Sequence, residues 1–182
     1  MESNVNAGHG EPWNEGKIVG QKAAFKPKDI WALRVRLQME SRVRKLARFN
    51  LGIDGKLRGC DLVSLKVRDT HHGEQVASRA VVMQHETQRP VRFEITAATR
   101  DAVQKWIKQA GLRSEDFVFP SRIHDSPHLG TRQYARILEN CVEELGLDPA
   151  DYGTHSMRLT EATLIYKRTK NLRAVQLLLR HS

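Results

Sequence analysis

Apolar residues in the first third of the chain recur at helical spacing. The three-to-four-residue period predicts a long basic helix from Lys28 to about Phe49. The phase of the apolar positions shifts midway along this stretch, which allows either one kinked helix or two separate helices. The apolar positions are Ile30, Leu33, Leu37, Val43, Leu46 and Ala47. Gly52 and the Asp54-Gly55 pair predict the end of this stretch, because glycine and Asp-Gly favour turns.

The period changes from helical to alternating in the middle of the chain. Leu57–Leu65 fits a short helix, and Val76–Met83 reads as a strand. Val91, Phe93 and Ile95 alternate with polar residues, which predicts a second strand. Residues 84–90 are polar and join the two strands. The pattern therefore predicts an antiparallel hairpin.

The second half of the chain returns to helical spacing. Four stretches are predicted to be helices: 103–110 closed by Gly111, 131–145, about 155–167 and about 172–180. Tyr134 and Tyr166 lie on apolar stripes, which predicts core positions for both rings. The layout indicates an α+β fold, mostly helical with a small antiparallel sheet between helical layers.

The length and composition indicate one globular domain with a polar arm. Residues 1–27 have no apolar period and are predicted to form a flexible N-terminal arm, which leaves residues 28–182 as the domain. The arm lacks the features of a signal peptide, and no apolar run approaches the roughly 20 residues that a membrane helix needs. A cytoplasmic protein without a membrane partner is expected.

Charge and cysteine usage narrow the partners. Thirty Lys and Arg against 21 Asp and Glu give a net charge of +9, and such a balance favours polyanions, nucleic acid above all. Cys60 and Cys141 are far apart and are expected to be buried, reduced thiols. His71 and His72 have no third ligand nearby in the sequence, so no zinc site is expected.

Three local patterns contain candidate catalytic groups. Arg58 lies in the segment Leu57-Arg58-Gly59-Cys60-Asp61-Leu62-Val63-Ser64-Leu65, where a surface ion pair with Asp61 is the alternative interpretation. His155 and Arg158 are three residues apart on one helix face, and the alternative interpretation is a solvated or hydrogen-bonded face without catalytic function. His181 follows an apolar helix and could alternatively be a cation favoured by the helix dipole.

Taken together, the three patterns resemble the tyrosine recombinase (phage integrase) family over roughly residues 28–182. The family's first-arginine box, Leu-Arg-x-x-Asp-Leu-x-x-Leu, is matched by residues 57–65. Its His-x-x-Arg box is matched by His155 and Arg158, and its Leu-Gly-His box by Leu179 and His181. The resemblance implies the catalytic domain of a DNA breaking and rejoining enzyme.

The resemblance also implies a mechanism and partners. In the family, two arginines bind the phosphate of double-stranded DNA, two histidines donate hydrogen bonds or move protons, and a tyrosine attacks to form a 3′-phosphotyrosine. By this resemblance the catalytic candidates are Arg58, His155, Arg158 and His181. Charge-assisted arginine bonds stabilise the extra negative charge without a metal ion or ATP, so no cofactor is expected. The implied function is site-specific recombination and integration in a synaptic tetramer.

The chain departs from the family pattern at four points. The family's nucleophile lies about one helix beyond the position of His181, whereas this sequence ends at Ser182. Glu86 stands in the hairpin where the resemblance implies a general-acid lysine, Arg180 replaces a glycine, and Glu161 lies close enough in sequence to attract Arg158. A domain that binds DNA without cleaving it is therefore expected, with an impaired tetramer and a monomer off DNA.

Two other functions remain open at the level of sequence. The fold could serve a non-enzymatic DNA-binding regulator, or the chain could be a basic protein that engages RNA or ribosomes through charge alone. Either DNA-binding function predicts a nucleoid-associated protein with a special role for Arg58 and Arg158. The charge-only function predicts that all exposed arginines matter equally.

Overall fold

The computed structural model describes residues 22–123 and 126–179, so Arg180 and His181 lie outside the described residues. The elements in chain order are α1 (Pro27–Met39), α2 (Val43–Asp54), α3 (Gly59–Val63), α4 (Val67–Thr70), β1 (His71–His72), β2 (Gln75–Val76), β3 (Arg79–Met83), β4 (Pro90–Glu94), α5 (Ala97–Ala110), α6 (Thr131–Glu144), α7 (Thr154–Thr169) and α8 (Leu172–Leu179). The mostly helical α+β architecture predicted from the sequence is confirmed. None of the described helices is long and apolar enough to cross a membrane.

The first helical stretch is broken in two, as the phase slip allowed. Helix α1 ends at Met39, and α2 begins at Val43. Ser41 between them has a φ of 53°, a left-handed conformation that interrupts the helical hydrogen-bond ladder. The break lets Leu37 at the end of α1 and Leu46 in α2 both face the core.

Gly52 was predicted to end the helical stretch, and that prediction is wrong. Helix α2 continues through Gly52 to Asp54. A Cβ at Gly52 would lie 2.5 Å from Met157 Cε and 2.7 Å from Tyr134 Oη. Glycine is therefore present because α6 and α7 approach the backbone of α2 closely, and the packing outweighs its low helix propensity.

The antiparallel pairing is confirmed, but the strand predicted over 76–83 is split in two. β1 pairs with β2, and β3 pairs with β4 in a register that runs from Arg79 opposite Glu94 to Met83 opposite Pro90. Between the two ribbons, Ala77 N–H donates to the carbonyl of Thr70. Along β3 and β4 the residues that face the core are Ala80, Val82 and Phe93. One face of this hairpin is thus packed, and the other meets solvent.

The helices of the second half follow their predicted spacing. Helix α5 is capped by Thr96, whose side chain accepts a hydrogen bond from Thr99 N–H, and it ends at Gly111 with a φ of 61°. Tyr134 is buried in α6, as predicted. The core position predicted for Tyr166 is wrong, because 39% of that residue is exposed near the end of α7. The ammonium of Lys170 lies 5.8 Å from the centroid of its ring.

Residues 22–26, the end of the predicted arm, pack against the domain. Phe25 is almost fully buried, and its ring stacks on Tyr152 with 4.8 Å between centroids. Its backbone N–H donates to Thr160 Oγ1 in α7 at 2.9 Å, and Ala23 N–H donates to the carbonyl of Asp151. These contacts hold the start of α1 against α7, which carries two of the candidate catalytic residues.

Polar contacts at its two ends fix α2, the helix that leads into Arg58. At the C-terminal end, the carboxylate of Asp54 accepts hydrogen bonds from Arg34, Thr96 and Thr99. At the N-terminal end, Arg42 binds Glu144 of α6 at 2.8 Å. Helix α2 is therefore tied to α1, α5 and α6, and the chain enters the loop before Arg58 in a defined direction.

Candidate active site

A cavity of about 450 Å³ opens where the loop before α3 meets the hairpin tip and the N-terminal ends of α6 and α7. Its lining joins segments that are far apart in sequence: Leu57, Arg58, Gly59, Cys60, Glu86, Thr131, Thr154, His155 and Arg158. Its volume is in the range typical of ligand pockets. Three of the four predicted catalytic residues, Arg58, His155 and Arg158, are thus brought together. His181 lies outside the described residues.

Arg58 enters the cavity from the residue that precedes α3. Its backbone is extended, with φ −65° and ψ 152°, and Gly59 begins the helix. Arg58 Nη1 lies 2.6 Å from Glu86 Oε2. The alternative interpretation, an ion pair between Arg58 and Asp61 at the surface, is wrong, because Asp61 is only 1% exposed. The Asp61 carboxylate accepts the backbone N–H of His85 at 2.9 Å.

His155 and Arg158 lie on the same face of the first turns of α7, as their spacing predicted. The helix begins at Thr154 after Gly153, whose N–H donates to Ser156 Oγ at 3.0 Å. His155 is exposed at the mouth of the cavity, whereas only 7% of Arg158 is exposed. The helix therefore presents an accessible imidazole and a buried guanidinium to the same cavity.

The electrostatics of the cavity favour an anion. Burial lowers the pKa of Arg158, and the positive charge of Arg58 lowers it further. The carboxylates of Asp61 and Glu86 act in the opposite direction. Desolvation and mutual repulsion make it unfavourable to hold two guanidinium groups close together. An anion that accepts hydrogen bonds from both groups offsets this unfavourable free energy.

The hairpin tip that carries Glu86 is held by its own hydrogen bonds. Gln84 N–H donates to the carbonyl of Arg89, Gln88 N–H donates to the carbonyl of Gln84, and Thr87 Oγ1 donates to Gln84 Oε1 at 2.8 Å. The contact between His85 N–H and Asp61 ties the tip to α3. Glu86 thus projects from an ordered turn, with 64% of its side chain exposed.

Several lining residues were not predicted from the sequence. Thr131 and Thr154 are the first residues of α6 and α7, so the cavity lies at two helix N-termini, where unpaired backbone N–H groups and the helix dipole favour an anion. The repeated Gly-Thr pair at 130–131 and 153–154 was the available sequence signal. Cys60 lines the cavity and is half-buried, whereas Cys141 is buried as expected; burial raises the pKa of both thiols.

Glu161 was expected to attract Arg158, and that expectation is wrong. Its carboxylate Oε1 lies 3.2 Å from Lys56 Nζ. The charges of Asp61 and Glu86 raise the pKa of Arg158. Among the residues that the structure describes, no group of three or more His, Cys, Asp or Glu is arranged to hold a metal ion.

The three tyrosines of the sequence are not among the residues that line the cavity. Tyr134 packs beneath Gly59, and its hydroxyl donates to Met157 Sδ at 3.1 Å. Tyr152 stacks on Phe25, and Tyr166 lies near the end of α7. The described geometry thus gives none of the three the position of an attacking group.

The fold, the convergent arginines and the histidine beside them agree with the sequence comparison. The Phage integrase family profile matches residues 30–182, and the chain belongs to this family. The probable integrase/recombinase YoeC of Bacillus subtilis (strain 168) is 25% identical over 134 residues, which cover 74% of this chain and 69% of YoeC.

Solved structures of recombinases share the fold. The XerA recombinase superposes with a TM-score of 0.73 at 17% identity, over 90% of this chain and 57% of that chain. The XerH site-specific recombinase, solved in a pre-cleavage complex with its difH substrate, gives a TM-score of 0.71 at 16% identity, over 89% of this chain and 48% of that chain. The chain therefore spans about half the length of these recombinases and has the fold of their catalytic domains.

Proposed function

We propose that residues 28–182 form a tyrosine recombinase catalytic domain that binds a phosphodiester of double-stranded DNA in the cavity around Arg58. The proposal rests on the convergence of three side chains on one cavity: Arg58 from the position before α3, and His155 and Arg158 from α7. The function is site-specific DNA recombination and integration. The protein acts in the cytoplasm, on the nucleoid when DNA is bound. On DNA it forms the synaptic tetramer of the family in an impaired form, and off DNA it is a monomer.

The chemistry of the cavity suits a phosphodiester. Arg58 and Arg158 donate charge-assisted hydrogen bonds to the non-bridging oxygens, where negative charge grows in the transition state. His155 is exposed at the mouth, and a histidine can donate a hydrogen bond or move a proton near neutral pH. The family resemblance assigns His181 a second histidine role at the same phosphate. These roles need neither a metal ion nor ATP.

The domain is also proposed to bind DNA without cleaving it, because the residues of this chain do not supply all the groups that cleavage needs. Glu86 stands where the resemblance implies a lysine, and an ionised carboxylate cannot donate a proton to the leaving 5′-oxygen. Cleavage through a phosphotyrosine also needs a tyrosine other than the three in this sequence, since none of them lines the cavity. Glu86 is thus the observation that favours the second candidate, a DNA-binding regulator without enzymatic activity.

DNA affinity as a function of salt tests the proposal. Replacing Arg58 and Arg158 together by alanine should weaken binding to a DNA duplex and reduce the slope of log K against log salt by up to about two, because each lost phosphate contact removes close to one released counterion. The matched control is the double variant Arg68→Ala, Arg113→Ala, which removes two exposed arginines that do not line the cavity.

Equal losses in the two double variants contradict a phosphate-binding cavity and favour binding of nucleic acid through charge alone. Thermal unfolding of every variant checks that the buried Arg158 can be replaced without unfolding the domain. A nicked DNA duplex tests the part of the proposal that concerns cleavage: no covalent protein–DNA adduct is expected, and an adduct contradicts binding without cleavage. Light scattering of the DNA complex tests the tetramer.

A further inference from the structure

We propose that Glu86 is a built-in competitor for the phosphate: its carboxylate occupies Arg58 while the cavity is empty and leaves when DNA binds. This inference rests on the proposed function and adds regulation of the same site. Glu86 lines the cavity, and its Oε2 lies 2.6 Å from Arg58 Nη1. The contact joins the hairpin tip to the loop before α3, which are 28 residues apart in sequence.

Carboxylate and phosphate oxygens compete for the same donors. Both accept short, charge-assisted hydrogen bonds from a guanidinium. A phosphate that binds Arg58 must therefore either displace the Glu86 carboxylate or lie beside its like charge. Either event makes binding of the phosphate less favourable. The carboxylate thus lowers the affinity of the cavity for phosphate without any change in the arginines.

The empty cavity gains from the same contact. Arg58 and Arg158 repel each other, and the Glu86 carboxylate acts on Arg158 as well as on Arg58. Glu86 therefore offsets the repulsion between the arginines when no phosphate is present. The incoming phosphate then takes over the role that the carboxylate performs in the free protein.

The hairpin allows Glu86 to leave by rotation of its side chain alone. The backbone of the tip is fixed by hydrogen bonds that do not involve the Glu86 carboxylate, including His85 N–H to Asp61 Oδ1. The Glu86 side chain is 64% exposed, so water replaces its contact with Arg58 when it moves. An ion pair in which one partner is this exposed is weak. A weak ion pair is what the proposal requires, because DNA has to displace it.

Affinity measurements on Glu86→Gln test the inference. Glutamine keeps the shape and loses the charge, so the variant should bind a DNA duplex about two- to fivefold more tightly at fixed low salt, the range expected for loss of an exposed ion-pair competitor. The matched control is Glu94→Gln on the same hairpin. Glu94 is 75% exposed, pairs with Arg79 at 3.5 Å and does not line the cavity.

The background of Arg58→Met separates competition from a general effect of charge. If Glu86 competes for Arg58, the gain from Glu86→Gln should fall to that of Glu94→Gln once Arg58 has no guanidinium. A gain equal to that of Glu94→Gln in the native background, or an undiminished gain in the Arg58→Met background, overturns the inference.

A second probe keeps this inference distinct from the proposed function. Inorganic phosphate should raise the thermal midpoint of Glu86→Gln more than that of Glu94→Gln. If neither the native chain nor Glu86→Gln binds DNA, the proposed function fails; a larger phosphate effect in Glu86→Gln then still supports the competitor, and an equal effect overturns it. If the native chain binds DNA and Glu86→Gln binds no better than Glu94→Gln, the competitor alone fails.

Discussion

The hydroxyl of Tyr134 donates a hydrogen bond to the sulfur of Met157 at 3.1 Å, and this contact joins α6 to α7 directly beneath the candidate active site. The first residues of the two helices, Thr131 and Thr154, line the cavity above it. A Cβ at Gly52 would collide with both Tyr134 and Met157. The spacing of the helix ends that form the cavity therefore depends on a glycine in a third helix.

Replacing Gly52 by alanine should lower the free energy of unfolding by about 1–3 kcal/mol, the range for overpacking a close-packed core. The methyl group meets Tyr134 Oη at 2.7 Å, and a buried aromatic ring cannot move aside as the end of Met157 can. Alanine is the better helix former, so propensity alone predicts stabilisation. Urea unfolding followed by circular dichroism measures the sign.

Gly130→Ala is the matched control, because a Cβ at that position meets nothing within 4 Å. It should cost about 0.5–1 kcal/mol, because alanine is a poorer N-cap than glycine, and no part of that cost comes from overpacking. A Gly52→Ala variant that is as stable as the native chain or more stable shows that the three helices adjust freely, and it contradicts the packing argument.

Local pattern predicted much of the fold and part of the site. The helical period located α1, α2 and α5 to α8, because their core faces repeat within one element. The spacing of His155 and Arg158 fixed their common face for the same reason. The family boxes added Arg58 to the set, which periodicity alone does not do.

The remaining features depend on contacts between distant segments. The ion pair between Arg58 and Glu86 forms only when the hairpin tip folds over the start of α3. Gly52 looked like a helix end because the sequence around it does not show that side chains of α6 and α7 leave no room for a Cβ at this position. Tyr166 looked like a core residue because its apolar stripe continues along the helix, although 39% of the residue is exposed. Sequence period shows which face is apolar and does not show what covers it.

Tyr134→Phe should leave DNA affinity unchanged. The hydroxyl is directed at Met157, and burial raises its pKa, so it is neither exposed to DNA nor prepared to act as a nucleophile. Loss of its weak hydrogen bond to sulfur should cost about 0.5–1 kcal/mol of stability. Fluorescence anisotropy with labelled duplex measures affinity, and urea unfolding measures stability. A marked loss of affinity without loss of stability contradicts the buried, structural role.

Glu144 should make stability depend on pH in the acid range. Burial alone raises its pKa, but the hydrogen bond from Arg42 at 2.8 Å and the charges of Lys45, Arg42 and Arg36 outweigh burial, and the net pKa lies below the ordinary value of 4.5. A carboxyl group with a depressed pKa in the folded state contributes stability that is complete above its unfolded pKa. That contribution is lost as pH falls through the folded pKa.

Glu144→Gln should therefore be less stable than the native chain by about 1 kcal/mol at pH 7, the upper range for an exposed or half-buried ion-pair network. The difference should shrink as pH falls below about 4.5, where the native carboxylate takes up a proton and the two side chains become alike. Urea unfolding at a series of pH values measures the difference. The neighbouring exposed Glu143, replaced by glutamine, controls for net charge. A Glu144→Gln difference that is constant between pH 7 and 3, or that grows in acid, means that Arg42, Lys45 and Arg36 do not hold the carboxylate in its charged form.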